Sequence, residues 1–351
     1  MPKAFFRKAV ERMEGYTPGF QPRVADYVKL NTNENPYPPS PAVIEAIGKE
    51  LPRLARYPDP AADALREEVA RLFGVKLANV IAGNGSDDIL SVAVRAFVDP
   101  GQSVSFPNPT YSLYEVLAAA QDATSAPVDW TRDWSLPEGL FGNGSPLTFL
   151  ANPNSPTGTF VDPLDVARLA DSLEGVLLID EAYSDFARGN CMELARTRDN
   201  VIVARTLSKS YSLAGLRLGF AVASEALIAG LMKVKDSYNL GRAAIAGGAA
   251  ALRDQAHLRA NVEKIRRTRA RLVGELAKLG FHTLPSEANF VLAKPPAGLA
   301  AKAYFDELWK RLILVRWFDR PRVRDRVRIS IGSDAEMDRL LDATREILAA
   351  V

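Results

Sequence analysis

The sequence has few of the two residues on which much enzyme chemistry depends, cysteine and histidine. Its 351 residues include one cysteine and two histidines. A single cysteine, Cys191, excludes an intrachain disulfide and makes a thiolate metal cluster implausible. Neither His257 nor His282 stands in a metal-ligand or catalytic-triad pattern, so we expect no metal site. A lysine, a carboxylate or a cofactor must therefore carry any chemistry near neutral pH.

Long apolar runs and an excess of one charge are also missing. No apolar run approaches the roughly 18 residues of a membrane span, and the basic opening residues lack the apolar region of a secretory signal. The 44 basic and 42 acidic residues leave a net charge of +2, which predicts no nucleic-acid surface. We therefore expect a cytoplasmic protein whose partners are small molecules and not nucleic acids or membranes.

Short apolar runs alternate with amphipathic stretches, a pattern that is typical of an α/β fold. Apolar residues at intervals of three and four predict helices at residues 87–97, 111–120 and 164–172. The short apolar runs predict strands at residues 103–106, 147–151, 176–179, 201–204 and 218–223. Strands separated by helices imply a large domain with a mostly parallel sheet flanked by helices.

The pattern changes after about Gly241. The sequence then predicts one long helix at 243–280, strands at 289–292, 313–315 and 327–331, and a closing amphipathic helix, which together are typical of a smaller α+β domain. The proline-rich residues 31–41 predict an irregular crossing segment. We therefore predict an N-terminal segment (1–35) associated with the small domain, a large domain (36–241) and a small C-terminal domain (242–351).

Lys209 stands just beyond a predicted buried strand, where open parallel sheets place their ligand sites. An isolated lysine there is more often an exposed loop charge than a nucleophile. Its neighbours favour the second interpretation: Thr206 and Ser208 offer hydroxyls, and Arg217 offers a guanidinium. Two hydroxyls and a guanidinium make a good phosphate clamp.

A second candidate anion site lies at Gly85 and Ser86. These residues open a predicted helix, so they present free backbone N–H groups and a hydroxyl at its N-terminus, which is a favourable position for a phosphate. A serine that merely caps the helix explains the same pattern. The fragment is not a Walker loop, because no lysine follows at the required place.

Asp180 ends a predicted strand of four apolar residues and is followed closely by Tyr183. A carboxylate at a buried strand end is costly unless it meets a cation. That cation is either Mg²⁺, which has no Walker loop to support it here, or the protonated ring nitrogen of a pyridine cofactor. The second interpretation makes Tyr183 a donor to the phenolic oxygen of the same cofactor.

Two further segments follow predicted strands. The run Ala-Asn-Pro-Asn-Ser-Pro-Thr-Gly at residues 151–158 either exposes amide side chains or forms a plain turn. Tyr111 either stacks on a heteroaromatic ring or fills the core. Taken together, a lysine, a buried acid, a phosphate cradle and a stacking ring fit pyridoxal 5'-phosphate better than other cofactors.

With these residues in view, the sequence resembles the fold-type-I aminotransferases, and most closely the histidinol-phosphate aminotransferase family. The most specific matches are T-L-S-K-S-Y-S-L-A-G-L-R-L-G at residues 206–219 and D-E-A-Y at 180–183. The resemblance runs nearly end to end, from Tyr16 to the segment V-R-I-S-I-G at 327–332. It implies a fold-type-I pyridoxal-phosphate transferase that acts in histidine biosynthesis.

The resemblance also implies roles for individual residues. Lys209 would bind the cofactor as a Schiff base, Asp180 would pair with its ring nitrogen, and Tyr183 would contact its phenolic oxygen. Tyr111 would stack on the ring, and Tyr57 would reach the phosphate in the neighbouring subunit, which implies a homodimer. The residues implied to hold the phosphate, or to lie beside it, are Gly85, Ser86, Asp87, Thr206, Ser208 and Arg217.

The substrate residues follow from the same resemblance. Arg328 matches the arginine that grips the substrate α-carboxylate, and it would help to bind phosphate when the amine is histidinol phosphate. Tyr16, Asn33 and Arg316 would line the substrate pocket. The family usually has asparagine at the position of Ser155, where the side chain contacts the phenolic oxygen, so Asn154 or Ser155 must replace it here.

The reaction implied is a ping-pong transamination in which Lys209 carries the proton and 2-oxoglutarate is the second substrate. Two other activities on the same scaffold stay open at this point, aromatic aminotransferase and threonine-phosphate decarboxylase. A non-catalytic cofactor-binding regulator is the alternative of a different class, but the sequence shows no room for the DNA-binding domain that such proteins usually carry.

Overall fold

The computed structural model describes residues 5–22 and 26–350. Parts of the predicted N-terminal segment (1–4 and 23–25) and residue 351 of the predicted small domain lie outside these ranges. In the described part, the α-helices are α1 (Lys8–Arg12), α2 (Pro41–Glu50), α3 (Asp63–Phe73), α4 (Ser86–Phe97), α5 (Leu113–Ala120), α6 (Pro163–Ser172), α7 (Met192–Thr197), α8 (Glu225–Val234), α9 (Arg242–Arg253), α10 (Gln255–Lys278), α11 (Ala301–Lys310) and α12 (Asp334–Ala349).

The strands fall into three sheets within the same ranges. They are β1 (Val28–Lys29), β2 (Val80–Gly83), β3 (Ser103–Asn108), β4 (Thr124–Asp129), β5 (Leu147–Ala151), β6 (Val176–Asp180), β7 (Val201–Thr206), β8 (Gly219–Ala223), β9 (His282–Thr283), β10 (Phe290–Lys294), β11 (Ile313–Leu314), β12 (Arg316–Trp317) and β13 (Val327–Ser330).

The largest sheet has seven strands in the order β2-β8-β7-β6-β5-β3-β4. Strands β3 to β7 pair in parallel, whereas β8 runs antiparallel to both β7 and β2. Both faces are covered, because one apolar cluster packs α6, α7 and α9 against the sheet and another packs α4, α5 and α8. The prediction of an α/β fold with a mostly parallel sheet is confirmed.

The residues of the central strands explain this burial. All five residues of β5 and all six of β7 are buried, as expected for parallel strands with helices on both sides. Register pairs Ala151 with Asp180 and Asp180 with Ala204, so the carboxyl ends of β5, β6 and β7 lie side by side. Loops that leave these three strands are therefore brought to one edge of the sheet, where open α/β sheets bind ligands.

The long helix predicted at residues 243–280 is wrong, because the structure has two helices there. Asp254 separates α9 from α10, and its carboxylate accepts a hydrogen bond from the backbone N–H of His257 at 3.1 Å, which caps α10. Helix α9 packs on α2 and α3 of the large domain. The predicted domain boundary at residue 241 stays a prediction, and this packing favours a boundary near Asp254 instead.

The C-terminal part forms a second core around an antiparallel sheet in the order β12-β13-β10-β9. The chain enters it early: β1 pairs in parallel with β11, and the N–H of Ser330 donates to the carbonyl of Leu30 at 3.0 Å. Residues 30–40 then cross without helix or strand to the large sheet, as predicted from their prolines. Within the described ranges, no helix is both long enough and apolar enough to cross a membrane.

Candidate active site

A cavity of about 830 Å³ lies where the loops after the central strands meet the crossing segment and the C-terminal sheet. Its walls include most of the candidate residues, namely Tyr16, Asn33, Ser86, Asp87, Tyr111, Ser155, Asp180, Tyr183, Thr206, Ser208, Lys209, Arg217, Arg316 and Arg328. No group of three or more His, Cys, Asp or Glu is placed to hold a metal in the part of the chain that the structure describes.

Lys209 follows the end of β7 by three residues, and its side chain points into this cavity. The amine Nζ donates to the backbone carbonyl of Thr32 in the crossing segment at 3.1 Å and lies 6.0 Å from the centroid of the Tyr183 ring. Burial, followed by the nearby charge of Arg328, lowers the pKa of Lys209 from 10.5 to about 8. The amine is therefore far easier to deprotonate than an exposed lysine.

Asp180 is the last residue of β6 and is 4% exposed. Its Oδ1 accepts from the backbone N–H of Ala182 at 3.1 Å, and its Oδ2 accepts from the hydroxyl of Tyr114 at 3.0 Å. No basic side chain in the described ranges forms an ion pair with it. Burial raises the pKa of Asp180 to about 6, although the Tyr114 hydroxyl opposes the rise. Such a carboxyl needs either a proton or a cationic ligand.

The strand ends are held together by a buried charge network that the sequence did not reveal. Arg205, in β7, forms ion pairs with Glu181 at 2.8 Å and with Asp185 at 3.2 Å. The other oxygen of Asp185 accepts from the hydroxyl of Ser210 at 2.5 Å. The network thus connects Glu181, which follows Asp180, with Ser210, which follows Lys209. It fixes the loops after β6 and β7 relative to each other.

The predicted phosphate residues come together at the start of α4. The hydroxyl of Thr206 donates to Ser208 at 3.0 Å, and Arg217 donates to the hydroxyl of Ser208 at 3.2 Å. A Cβ on Gly219 would lie 2.5 Å from the backbone nitrogen of Ser86, so only glycine allows β8 to approach the helix this closely. Ser86, Thr206, Ser208 and Arg217 all line the cavity beside a helix N-terminus, a favourable position for an anion.

Asp87 and Arg217 form the outer edge of this cradle. Their side chains form an ion pair at 3.2 Å, and Asp87 also accepts from the hydroxyl of Tyr111 at 3.2 Å. Arg217 has a φ of 51°, in the left-handed region that non-glycine residues rarely adopt. Asp87 therefore orients a ring and a guanidinium, and its own negative charge makes it a poor direct ligand for phosphate.

The structure separates the two residues that the sequence could not distinguish. The amide of Asn154 is fully buried, donates to Pro109 O at 3.1 Å and to Thr157 Oγ1 at 2.9 Å, and accepts from Thr110 at 2.8 Å. Its side chain is thus committed to its own loop, and the prediction of Asn154 as a cofactor ligand is disfavoured. Ser155 faces the cavity instead and accepts from Arg328 at 3.1 Å.

The substrate candidates line the side of the cavity formed by the C-terminal sheet. Arg328 lies with its guanidinium carbon 5.3 Å from the ring centroids of both Phe290 and Phe318. It donates to Ser155 and to the carbonyl of Asn31 at 2.9 Å, and its buried Nε has no hydrogen-bond partner. Burial lowers its pKa. A half-buried guanidinium without a carboxylate partner is suited to an anionic ligand.

The other three substrate candidates also line the cavity. Asn33 donates through its amide to the hydroxyl of Tyr183 at 2.9 Å. Tyr16 packs its ring edge-on against Tyr111 with centroids 5.9 Å apart. Arg316 donates to the backbone carbonyl of Thr17 at 3.0 Å, so it holds the N-terminal segment over the site.

Gly85 and Asn154 do not line the cavity of this chain, and neither does Tyr57. Tyr57 is 79% exposed, and its ring stacks on Tyr238 with centroids 4.7 Å apart. Tyr114, which bonds with Asp180, is a further residue that sequence reasoning missed. Its spacing of three from Tyr111 in the predicted helix 111–120 was the available signal, because residues at that spacing share a face of a helix.

Comparisons with known proteins show the family of this chain. Residues 25–343 match the family described as aminotransferase class I and II. Histidinol-phosphate aminotransferase from Synechocystis is 47% identical over 335 residues, which cover 95% of this chain and 96% of that protein. The same enzyme from Citrifermentans bemidjiense is 47% identical over 349 residues, with 97% and 98% covered.

Solved structures give the same result. The histidinol-phosphate aminotransferase of Sinorhizobium meliloti, in complex with pyridoxal-5'-phosphate, superposes with a TM-score of 0.90 at 28% identity, covering 99% of this chain and 98% of that one. The L-threonine-O-3-phosphate decarboxylase of Porphyromonas gingivalis, at 20% identity and a TM-score of 0.80 over 92% of this chain and 99% of that one, shares the fold. The chain belongs to the aminotransferase class I and II family.

Proposed function

We propose that this chain is a histidinol-phosphate aminotransferase that uses pyridoxal 5'-phosphate. The observation that carries the proposal is a single cavity that combines a desolvated lysine, a buried carboxyl without a basic partner and a cradle of anion donors. The names of relatives that are 47% identical over nearly the whole chain support the choice of amine. The cytoplasmic location expected from the sequence stays a prediction.

The residues present fit this cofactor. The backbone N–H groups in the first turn of α4 have no partner within the helix and are available to a phosphate. Gly219 lets β8 approach this turn more closely than any Cβ would allow. Asp180 is buried with two hydrogen-bond donors and no cation, as suits a partner for a protonated ring nitrogen. Within the same cavity, Lys209 supplies the amine that binds an aldehyde.

Each group of residues would then hold one part of the cofactor. The phosphate would lie among Ser86, Thr206, Ser208 and Arg217, with Gly85 giving it room. Asp180 would pair with the ring nitrogen, and Tyr111 would stack on the ring. Tyr183 and Ser155 would contact the phenolic oxygen. When bound, pyridoxal phosphate supplies an electron sink for the negative charge that proton removal leaves at the substrate Cα.

Lys209 would move the proton in this site. Its amine, with a pKa of about 8, is partly neutral near physiological pH and can take the proton from the substrate Cα as a general base. The carbonyl of Thr32 accepts one hydrogen bond from Nζ and thereby orients its lone pair. The burial that lowers the pKa of the amine would also keep water away from the reacting carbon.

Arg328 would bind the anionic group of each substrate in turn. In glutamate and 2-oxoglutarate that group is the α-carboxylate, to which a guanidinium binds through two parallel hydrogen bonds. In histidinol phosphate it is the phosphate, which Arg316 would help to bind. Ordered release of one product before the second substrate enters gives ping-pong kinetics. The Tyr16 segment, held by Arg316, would close the mouth of the cavity.

The choice of amino donor is tested by kinetics with 2-oxoglutarate as acceptor. We expect kcat/KM for histidinol phosphate to exceed that for phenylalanine or tyrosine by about a hundredfold or more. Two charge-assisted hydrogen bonds to a phosphate are worth about 3 kcal/mol or more, and each 1.4 kcal/mol is a factor of ten. Glutamate formation and acceptor consumption are measured for each donor.

Two outcomes would contradict this proposal. A ratio below about tenfold would mean that the phosphate contributes less than about 1.4 kcal/mol to binding of the transition state. Such a ratio, or a preference for phenylalanine, would favour an aromatic aminotransferase. Release of CO₂ from threonine phosphate without any keto-acid acceptor would favour a decarboxylase, whose fold this chain shares. The comparisons favour neither alternative over histidinol phosphate.

We further propose that two copies of the chain form a homodimer in which Tyr57 reaches the neighbouring cofactor site. Its ring is exposed and stacks on the exposed ring of Tyr238, and the nearby chain positions Ile44, Leu51 and Leu54 are exposed apolar residues as well. Exposed apolar patches of this kind mark protein interfaces. In a symmetric dimer each Tyr57 would serve the partner's site.

Hybrid dimers test this exchange. A dimer that combines one Lys209→Ala chain with one Tyr57→Ala chain should have about half the wild-type activity, because one of its two sites keeps both residues. The matched control combines a doubly substituted chain with a wild-type chain and should be nearly inactive. The reverse pattern, with activity only in the control, would show that Tyr57 serves its own subunit. Two affinity tags isolate each hybrid before assay.

A further inference from the structure

Tyr114 contacts both the acid and the ring that the proposed function assigns to the cofactor. It lies on α5 and is fully buried. Its hydroxyl donates to Asp180 at 3.0 Å, and its ring stacks on Phe149 with centroids 4.5 Å apart and planes at 22°. The same ring meets Tyr111 at 5.7 Å with planes at 79°. One rigid side chain thus links two groups on different elements.

We propose that Tyr114 is a positioning residue that holds the Asp180 carboxylate in its charged, ring-facing form and fixes the Tyr111 ring. This inference rests on the proposed function, because only there are Asp180 and Tyr111 assigned to the cofactor. Tyr114 is not a wall of the cavity, so it would act through these two residues and would not touch the cofactor.

The physical reason lies in how few donors Asp180 has. Without the Tyr114 hydroxyl, the buried carboxyl would keep only the N–H of Ala182. Hydrogen bonds to a charged group in a low-dielectric site are among the strongest that a protein makes. Burial raises the pKa of Tyr114 well above 10, so its hydroxyl stays protonated and remains a donor.

Other charges also face Asp180 and must be counted. Asp87, on α4, raises its pKa, and Lys209, after β7, lowers it. The buried Tyr183 hydroxyl lies near enough for Asp180 to raise its pKa in turn. After burial, the Tyr114 hydroxyl has the largest effect on the pKa of Asp180, and it favours the charged form. Its removal should therefore move the protonation of Asp180 to higher pH.

The experiment measures binding of pyridoxal phosphate to the full chain after the cofactor has been removed. Wild type, Tyr114→Phe, Asp180→Asn and the double variant are titrated from pH 5.5 to 8.5, roughly the range over which Asp180 changes charge. We expect Tyr114→Phe to weaken binding about tenfold at pH 7. We also expect the pH below which affinity falls to move upward.

The double variant separates positioning from packing. If Tyr114 acts through Asp180, then Tyr114→Phe in the Asp180→Asn background should change affinity by less than about twofold. Tyr304→Phe is the matched control. Tyr304 is also fully buried, and its hydroxyl bonds with Thr344 at 2.8 Å in the C-terminal part, away from the cavity. It should leave cofactor affinity unchanged.

Three outcomes would overturn the inference. Wild-type affinity and pH dependence in Tyr114→Phe would remove the hydroxyl's role, and an equal loss in the Asp180→Asn background would show a packing effect only. If wild type binds the cofactor tightly but Asp180→Asn binds it equally well, the role of Asp180 fails and the inference fails with it. A wild-type chain that does not bind pyridoxal phosphate would overturn the proposed function itself.

Discussion

Replacing Lys209 by alanine should reduce transamination at least about ten-thousandfold, because the substitution removes both the nucleophile and the general base. The absorbance band that arises from the bond between Lys209 and the cofactor should also disappear, although the bound cofactor itself still absorbs. Lys209→Arg should be equally inactive, since a guanidinium keeps the positive charge but does not give up its proton. Steady-state rates and absorbance spectra of the purified variants measure both effects.

Lys235 provides a matched control for this prediction. It is also partly buried, burial lowers its pKa, and it donates to the carbonyl of Pro60 at 3.0 Å and to Asn239 at 3.1 Å. It does not line the cavity, so Lys235→Ala should keep the absorbance and most of the activity. Turnover by Lys209→Ala near the wild-type rate would refute the central assignment of the site.

The position of Lys209 and Asp180 at one edge of the sheet was predictable from the sequence because both lie at or just beyond strand ends. Lys209 and Asp180 each follow a run of buried apolar residues, and register alone brings β6 and β7 side by side. Strand β4 was missed because none of its residues is buried, so it has no apolar run, and because it contains a proline, Pro127, as edge strands often do. The break at Asp254 was missed because neither glycine nor proline marks it.

The details that sequence could not supply are side-chain directions within loops and contacts between elements. Whether Asn154 or Ser155 faces the cavity depends on which hydrogen bonds the loop makes with Pro109 and Thr157. The Arg205 network and the bond between Tyr114 and Asp180 join residues on different strands and helices, at separations of up to 66 positions. Pattern and spacing predict the helices and strands, whereas contacts between distant residues are seen only in the folded structure.

Replacing Asp180 by asparagine should reduce kcat/KM about a thousandfold while the fold is retained. Asparagine keeps the size and can still bond with Tyr114 and Ala182, but it cannot keep a ring nitrogen protonated. Losing one partner of a buried charge pair costs about 2–5 kcal/mol, which is a factor of roughly thirty to several thousand. Asp254→Asn, which changes the helix cap outside the cavity, serves as the control and should remain active.

Asp180→Asn should make the cofactor-free protein more stable, although it makes the enzyme less active. The folded-state pKa of Asp180 is about 6, against 3.8 for an ordinary aspartate. Between these pH values the folded protein therefore binds more protons than the unfolded chain, and the free energy of unfolding falls as the pH rises. Asparagine does not titrate, so at pH 7 the cofactor-free variant should unfold with a free energy higher by on the order of 2 kcal/mol. Denaturant unfolding at pH 4 and pH 7 measures the difference, which should be near zero at pH 4.

Adding pyridoxal phosphate should then stabilise wild type more than the variant, because only the carboxylate pairs with a cation. A purely structural Asp180 would predict a less stable variant under all of these conditions.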